Sequence, residues 1–239
     1  MDAVEPTIQI KTPETRALRL AFSLVRLILT LAVPVLLTMI SVRIVMTPLF
    51  LQIEYNRPGF PEDVYGFTTE ERLQLAPYAV NYLVNNEELS YLADLTFPDS
   101  DRFLFNRDEL RHMRDVQAVT QTAFALLAFG LPAILLLGIV LWRSGTKSRE
   151  ILRQGLFNGA VLTLSIIVFI IVFALTAWDM FFTAFHQLFF EEGTWRFAYS
   201  DSLIRLFPEQ FWFDAAITIG AMTLLGAVII LAITRQRRR

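Results

Sequence analysis

Only two histidines occur in the 239 residues, and both flank long apolar runs: His112 in LFNRDELRHMRDV before one run, His186 in WDMFFTAFHQLFF after another. Imidazole is the side chain best suited to moving protons near neutral pH, and a buried acid can fix its tautomer. His186 follows Asp179 by seven residues and His112 precedes Asp115 by three. Both spacings return to nearly one helical face, so the Asp179 carboxylate could lie below the His186 imidazole and orient it. Between two apolar runs, residues 178–214 add Glu191, Glu192 and Asp201 among closely spaced aromatics that include Trp195. The bland reading is that Asp179 caps or pairs structurally and His186 anchors at the membrane interface. The pattern by itself leaves both open.

Three reaction classes fit two such histidines. Acid–base catalysis of acyl transfer needs one group to take a proton from the attacking amine or hydroxyl and another to protonate the leaving oxygen. Metal-assisted hydrolysis could use His112, His186 and a carboxylate such as Asp115 or Asp201 with one open position, but no compact spacing such as HExxH supports it. A serine triad is weaker still, since Ser200 and Ser202 sit in no nucleophile-elbow pattern. A non-enzymatic membrane scaffold whose acidic loop binds a partner remains the alternative from a different class.

The elements that must position these residues are membrane helices. The chain is 54% hydrophobic and 18% charged, and four runs, roughly 27–51, 119–142, 156–182 and 211–234, exceed the about 20 residues a helix needs to cross a bilayer. The first run is too long for a cleaved signal, and no small-residue cleavage site accompanies it. The fold class expected is an all-α membrane protein of four transmembrane helices forming one integral membrane domain, with the lipid bilayer as its partner. Arg143, Lys147, Arg149 and Arg153 meet only Glu150 in the middle loop; Lys11, Arg16, Arg19 and Arg26 precede the first run, and Arg235, Arg237, Arg238 and Arg239 follow the last. Residues 52–118 carry thirteen acids against six basic residues, and 183–210 carry four against two. Counting positive charges inside puts both termini in the cytoplasm and both histidines near the outer leaflet of the cell membrane.

Residues 52–118 are expected to form a small extracellular cap, too small for an independent core and therefore packed on the helices. RPGFPEDVYGFT reads as turns. Thr68 or Thr69 followed by acids starts a helix that Pro77 is expected to divide. Residues 90–105 could supply short strands or a hairpin, and Asn106 or Asp108 can cap the next helix. Residues 183–210 form a second outer loop. Pro132 is expected to kink the second span, and Gly138, Gly155 and Gly159 suit close helix approach. Arg43 reads as a charge inside the first span, either snorkelling to outer-leaflet phosphates or touching a substrate headgroup or ester oxygen. With no cysteine there are no disulfides or thiolate sites; no phosphate loop, no nucleic-acid-binding stripe and no useful repeat occurs.

The segments FHQLFFEEGTWRF, DSLIRLFPEQFWFD and FNRDELRHMRDV resemble the bacterial integral membrane proteins of the lipoprotein intramolecular transacylase (Lit) family, and the resemblance spans most of the chain. It implies an enzyme that moves an acyl chain from the glyceryl sn-2 position of a diacylated lipoprotein to the nitrogen of that lipoprotein's amino-terminal cysteine, giving a lyso-form lipoprotein. It implies that His112 and His186 are the essential pair, one taking the amine proton and the other protonating the leaving glyceryl oxygen. No cofactor or metal is called for. Arg43, Trp195 or backbone N–H groups could stabilise the oxyanion. The expected site opens sideways to the outer leaflet between the second and third spans, lined by Phe189, Phe190, Trp195 and Phe197.

Overall fold

The computed structural model describes residues 16–98 and 100–235. The lead-in through Pro13 with Lys11, and the basic residues Arg237, Arg238 and Arg239, lie outside the described residues. Four helices are long and apolar enough to cross a membrane: α1 (Arg16–Val45), α5 (Arg107–Arg143), α6 (Thr146–Thr176) and α9 (Glu209–Thr234). Five shorter helices lie between them: α2 (Pro48–Tyr55), α3 (Thr69–Val84), α4 (Ser90–Ala93), α7 (Trp178–Phe189) and α8 (Ser202–Leu206).

Helix α6 is central, packed on α1 and α9, with α5 alongside α1 and α6. The α1–α6 contact is set by Gly155 and Gly159, one turn apart. A Cβ on Gly155 would stand 2.7 Å from Leu29 Cβ, and one on Gly159 2.7 Å from Val33 Cβ, so only glycine lets the two backbones come this close. Gly138 has no such role, since its Cβ would meet only Leu152 Cδ1 at 3.8 Å. The Ser41 and Thr223 hydroxyls bond across α1 and α9 at 3.1 Å, each buried. At one end of the bundle Arg26 donates to Gln154 Oε1 (3.2 Å), Arg153 donates to the Thr234 carbonyl (2.9 Å), and Lys147 lies 5.1 Å over the Phe22 ring. The start of α1, the α5–α6 hairpin and the end of α9 therefore share one basic end.

Two apolar runs are each split in two. The run 27–51 breaks after Val45, because the residue before a proline is pushed out of the α region: Thr47 is extended (φ −139°, ψ 151°) and Pro48 opens α2. Arg43 lies in the last turn of α1. The run 156–182 breaks at Ala177 (φ −149°, ψ 59°), so α6 ends at Thr176 and α7 begins a new axis. Helices α3 and α5 run unbroken through Pro77 and Pro132, contrary to the expected division of the first.

The segments 52–118 and 183–210 pack together at one end of the bundle and are here called the cap. Helix α3 starts on a capping box in which Glu71 N–H donates to Thr68 Oγ1 and Thr68 N–H to Glu71 Oε2. Residues 95–97 and 102–104 pair as the hairpin, bridged between Thr96 and Phe103. One core joins Tyr55, Leu75, Tyr82, Leu92 and Phe105 from the first segment with Met113 of α5, Leu203 and Leu206 of α8 and Phe211 of α9. The turn 57–68 is fastened from below. The Asp63 carboxylate accepts from the Phe67 N–H (2.7 Å) and pairs with buried Arg205 (2.9 Å). Arg72 donates to the carbonyls of Arg205 and Pro61, and the Tyr55 hydroxyl donates to the Leu206 carbonyl. These buried ions are tolerable because each is hydrogen-bonded.

Candidate active site

His112 sits on the first two turns of α5, ahead of that helix's apolar part. The Asn106 side chain caps the helix, accepting from the N–H groups of Asp108 (2.9 Å) and Glu109 (3.0 Å), while Glu109 Oε2 accepts from the Asn106 N–H (2.7 Å). Its other oxygen, Oε1, accepts from the N–H of Leu203 in α8 at 2.6 Å. Glu109 is 1% exposed and stands three residues before His112. It therefore ties the turn that carries His112 to the segment 183–210. Burial raises the Glu109 pKa, and its two N–H donors pull it back down.

His186 lies on α7, where its Nδ1 stands 2.8 Å from the carbonyl of Phe182 one turn earlier. A carbonyl only accepts, so Nδ1 carries the proton and Nε2 is left with its lone pair free to act as a base. The loop after α7 folds back on both rings. Gly193 takes φ +84°, Thr194 Oγ1 donates to the Glu191 carbonyl, and the Asp201 carboxylate accepts from the Ala198 N–H. This brings Trp195 within 4.7 Å of His186, and Phe190 and Phe197 within 5.0 and 5.4 Å of His112 (ring centroids).

The two imidazoles face each other with centroids 6.3 Å apart and planes 24° from parallel. At that separation no nitrogen of one ring reaches a nitrogen of the other within hydrogen-bond distance. Burial, reinforced by the charge His186 would carry, pushes the His112 pKa down to about 4, with Asp115 pulling the other way. Burial also lowers His186, and the Phe182 carbonyl opposes it. Both rings are thus neutral at pH 7. His112 Nδ1 and Trp195 Nε1 are buried with no hydrogen-bond partner.

The remaining residues singled out in the sequence divide. Phe190, Trp195 and Phe197 line the pair, whereas Phe189 stacks on Phe185 and Phe190. Asp115 acts on His112 only through its charge. Asp179 is exposed in the first turn of α7 and does not hold the imidazole; the i−4 carbonyl is the nearer acceptor and takes that place. Asp201 is a turn-former. Arg43 donates to the Met46 carbonyl (3.4 Å) and covers Phe124, which lies twelve residues, about 18 Å of helix, beyond His112 on α5. Among the described residues no three His, Asp or Glu side chains stand close enough to hold a metal ion.

Against known proteins, the family profile described as lipoprotein intramolecular transacylase Lit matches residues 25–212. The chain belongs to the Lit family. That makes it a membrane-integral acyltransferase by family. A protein of Aquifex aeolicus (strain VF5), itself described as uncharacterized, is 30% identical over 212 residues, covering 87% of this chain and 92% of its own. The in meso structure of Lit from Bacillus cereus superposes with a TM-score of 0.70 over 90% of this chain and 94% of that one, at 17% identity. A variant of the same protein with one histidine replaced by alanine gives 0.64 over 91% and 93%, at 19% identity. The all-α, four-span fold expected from the sequence is therefore the Lit fold. Glu109 was missed as part of this Lit-family site. Its signal is the Asn106-x-x-Glu109 spacing, which marks a helix start but says nothing of Leu203.

Proposed function

We propose that this chain transfers an acyl group within a diacylglyceryl lipoprotein, from the sn-2 glyceryl ester to the amine of the amino-terminal cysteine, leaving the lyso form. The observation that carries the reading is the facing pair His112 and His186, neutral, walled by aromatic rings and 6.3 Å apart. His186 is the better placed base, since its tautomer leaves Nε2 unprotonated. Neither ring needs to start charged. The proton His186 takes from the attacking amine is the one the glyceryl oxygen receives, by way of His112, as the C–N bond forms and the C–O bond breaks. Nucleophile and ester belong to one substrate, so the protein chiefly orients them. No cofactor enters, and no residue here serves as a covalent nucleophile.

The histidine pair would face outward, in an N-in, C-in orientation. In support, Arg26, Lys147 and Arg153 gather at the opposite end of the bundle from the acidic cap. Residues 52–118 and 183–210 would then form the extracellular side. Helix α7 has no buried residue and presents Met180, Phe185 and Leu188 outward, a surface suited to lipid. The acyl chains would reach the pair from the bilayer, passing beside α5 and α7.

The test is mass spectrometry of a diacylated lipoprotein incubated with wild type, His112→Ala and His186→Ala. Wild type should give the N-acylated lyso product, and each variant should be slower by about 10²–10⁴-fold. Release of free fatty acid with no N-acyl product would mark a hydrolase. No conversion by folded wild-type protein, with both variants retaining biological function, would mark a scaffold.

A further inference from the structure

We infer that the indole N–H of Trp195 is the hydrogen-bond donor that receives the developing oxyanion, an assignment that rests on the acyl-transfer reading above. Trp195 is 7% exposed, and its Nε1 lacks any partner. A buried N–H left unpaired is destabilising, and phenylalanine would fill an aromatic wall without that penalty. Among the described residues one other buried side-chain polar atom is unpartnered, His112 Nδ1. Both orphans belong to one cluster: the Trp195 ring is 4.7 Å from His186, which is 6.3 Å from His112. Unpaired groups gathered in one ring cluster point to a ligand that pairs with them.

The chemistry of the two atoms beside His186 identifies that ligand. Indole Nε1 only donates, so its partner is an oxygen acceptor. His186 Nε2 only accepts, because Nδ1 donates to the Phe182 carbonyl. A donor and a base on neighbouring rings, with centroids 4.7 Å apart, match the two ends of an amine attacking an ester carbonyl. The nitrogen–carbon bond forms, the C=O π pair moves onto oxygen and is held by the Trp195 N–H, and the N–H proton passes to His186. Collapse returns that pair, breaks the bond to the glyceryl oxygen, and the proton ends there. The donor is fixed before reaction by the loop contacts at Thr194 and Ala198 and by its neighbours, Phe182 at 6.2 Å and the Arg196 guanidinium at 5.0 Å over the ring. Such preorganisation is what makes an oxyanion donor effective.

The experiment compares single-turnover acyl transfer by wild type, Trp195→Phe and a protein carrying benzothienylalanine at 195, which keeps the indole outline but replaces N–H by sulfur. Both should lose about 10²–10³-fold in kcat, with KM changed by less than about threefold because the donor acts mainly in the transition state. Unchanged thermal unfolding of the benzothienyl protein shows that packing is intact. A benzothienyl protein with kcat within about threefold of wild type overturns the assignment, as does a loss confined to KM. Wild-type protein that performs no transfer overturns the acyl-transfer reading instead, and the assignment with it.

Discussion

Replacing Glu109 tests whether His112 is held from outside the membrane bundle. The carboxylate is 1% exposed and accepts two backbone N–H bonds, from Asn106 at 2.7 Å and Leu203 at 2.6 Å. Glutamine offers one oxygen and one NH₂, so in Glu109→Gln one of these N–H groups must face another donor. The Leu203 bond is fully buried and the Asn106 bond only partly, so the oxygen stays on Leu203 and Asn106 turns to water. One hydrogen bond to a charged acceptor is lost, about 1.5–3 kcal/mol, and relief from burying the charge offsets part of it. Glu109→Ala loses both bonds and leaves the buried Leu203 N–H without a partner, for about 3–5 kcal/mol in total. At about 2–4 °C per kcal/mol for a chain of this size, the alanine variant should unfold about 6–20 °C below wild type, with glutamine between them. Tryptophan fluorescence during heating in detergent reads this, as the chain has no cysteine for a thiol dye. Acyl transfer should fall in step, since His112 lies one turn farther on. The same change at Glu71, in the exposed capping box of α3 with one bond from Thr68, should cost about 1 kcal/mol or less. A Glu109→Ala protein as stable as Glu71→Ala would refute the reasoning.

Gly159→Ala would put a Cβ 2.7 Å from Val33 Cβ and 3.0 Å from the Thr30 carbonyl, so the α1–α6 contact should open at about 1–3 kcal/mol. Gly138→Ala, with its nearest atom at 3.8 Å, should leave the unfolding temperature unchanged or raise it through better helix propensity. For pH, His112 and His186 are both depressed in the folded state. Stability is therefore full above the ordinary histidine value near 6.5 and is lost as pH falls below it, the His112 share continuing down to about 4. Unfolding temperature measured against pH should drop across that window, less steeply in His112→Gln; identical slopes would contradict the burial argument.

The sequence made the long helices legible because hydropathy over about 20 residues is a strong signal. It hid their ends, because a run of apolar residues looks the same whether one helix or two cover it. Thr47–Pro48 carried a local sign of the first break. Ala177 carried none, being the best helix former of all and followed directly by no proline or glycine. Arg43 is followed by apolar residues of two helices, Ile44 and Val45 of α1 and Leu49 to Leu51 of α2. The histidine pair was legible through rarity and through positive-charge counting, which sends both to one end. Asp179 shows the limit of spacing arguments. It shares α7 with His186, yet the Phe182 carbonyl is nearer. The Glu109–Leu203 bond joins residues 94 apart in sequence, and no local pattern can announce such a partner.

The two histidines are held by different means. His112 stands on a helix start that is capped, anchored to α8 through Glu109 and packed through Met113 into the cap core. His186 rides on a twelve-residue helix with no buried residue, kept in place by ring contacts such as Trp178 on Phe213 at 5.1 Å and Trp195 on His186. Contacts of that kind contribute about 0.5–1.5 kcal/mol each beyond their buried area, whereas buried hydrogen bonds to a charge contribute more and fix direction. Changes on the His112 side therefore affect stability and chemistry together, and changes on α7 fall mainly on chemistry. Under the proposed acyl transfer, a substrate whose acyl chains remain in lipid would meet one wall of fixed geometry at His112 and one at α7 whose exposed Met180, Phe185 and Leu188 suit lipid.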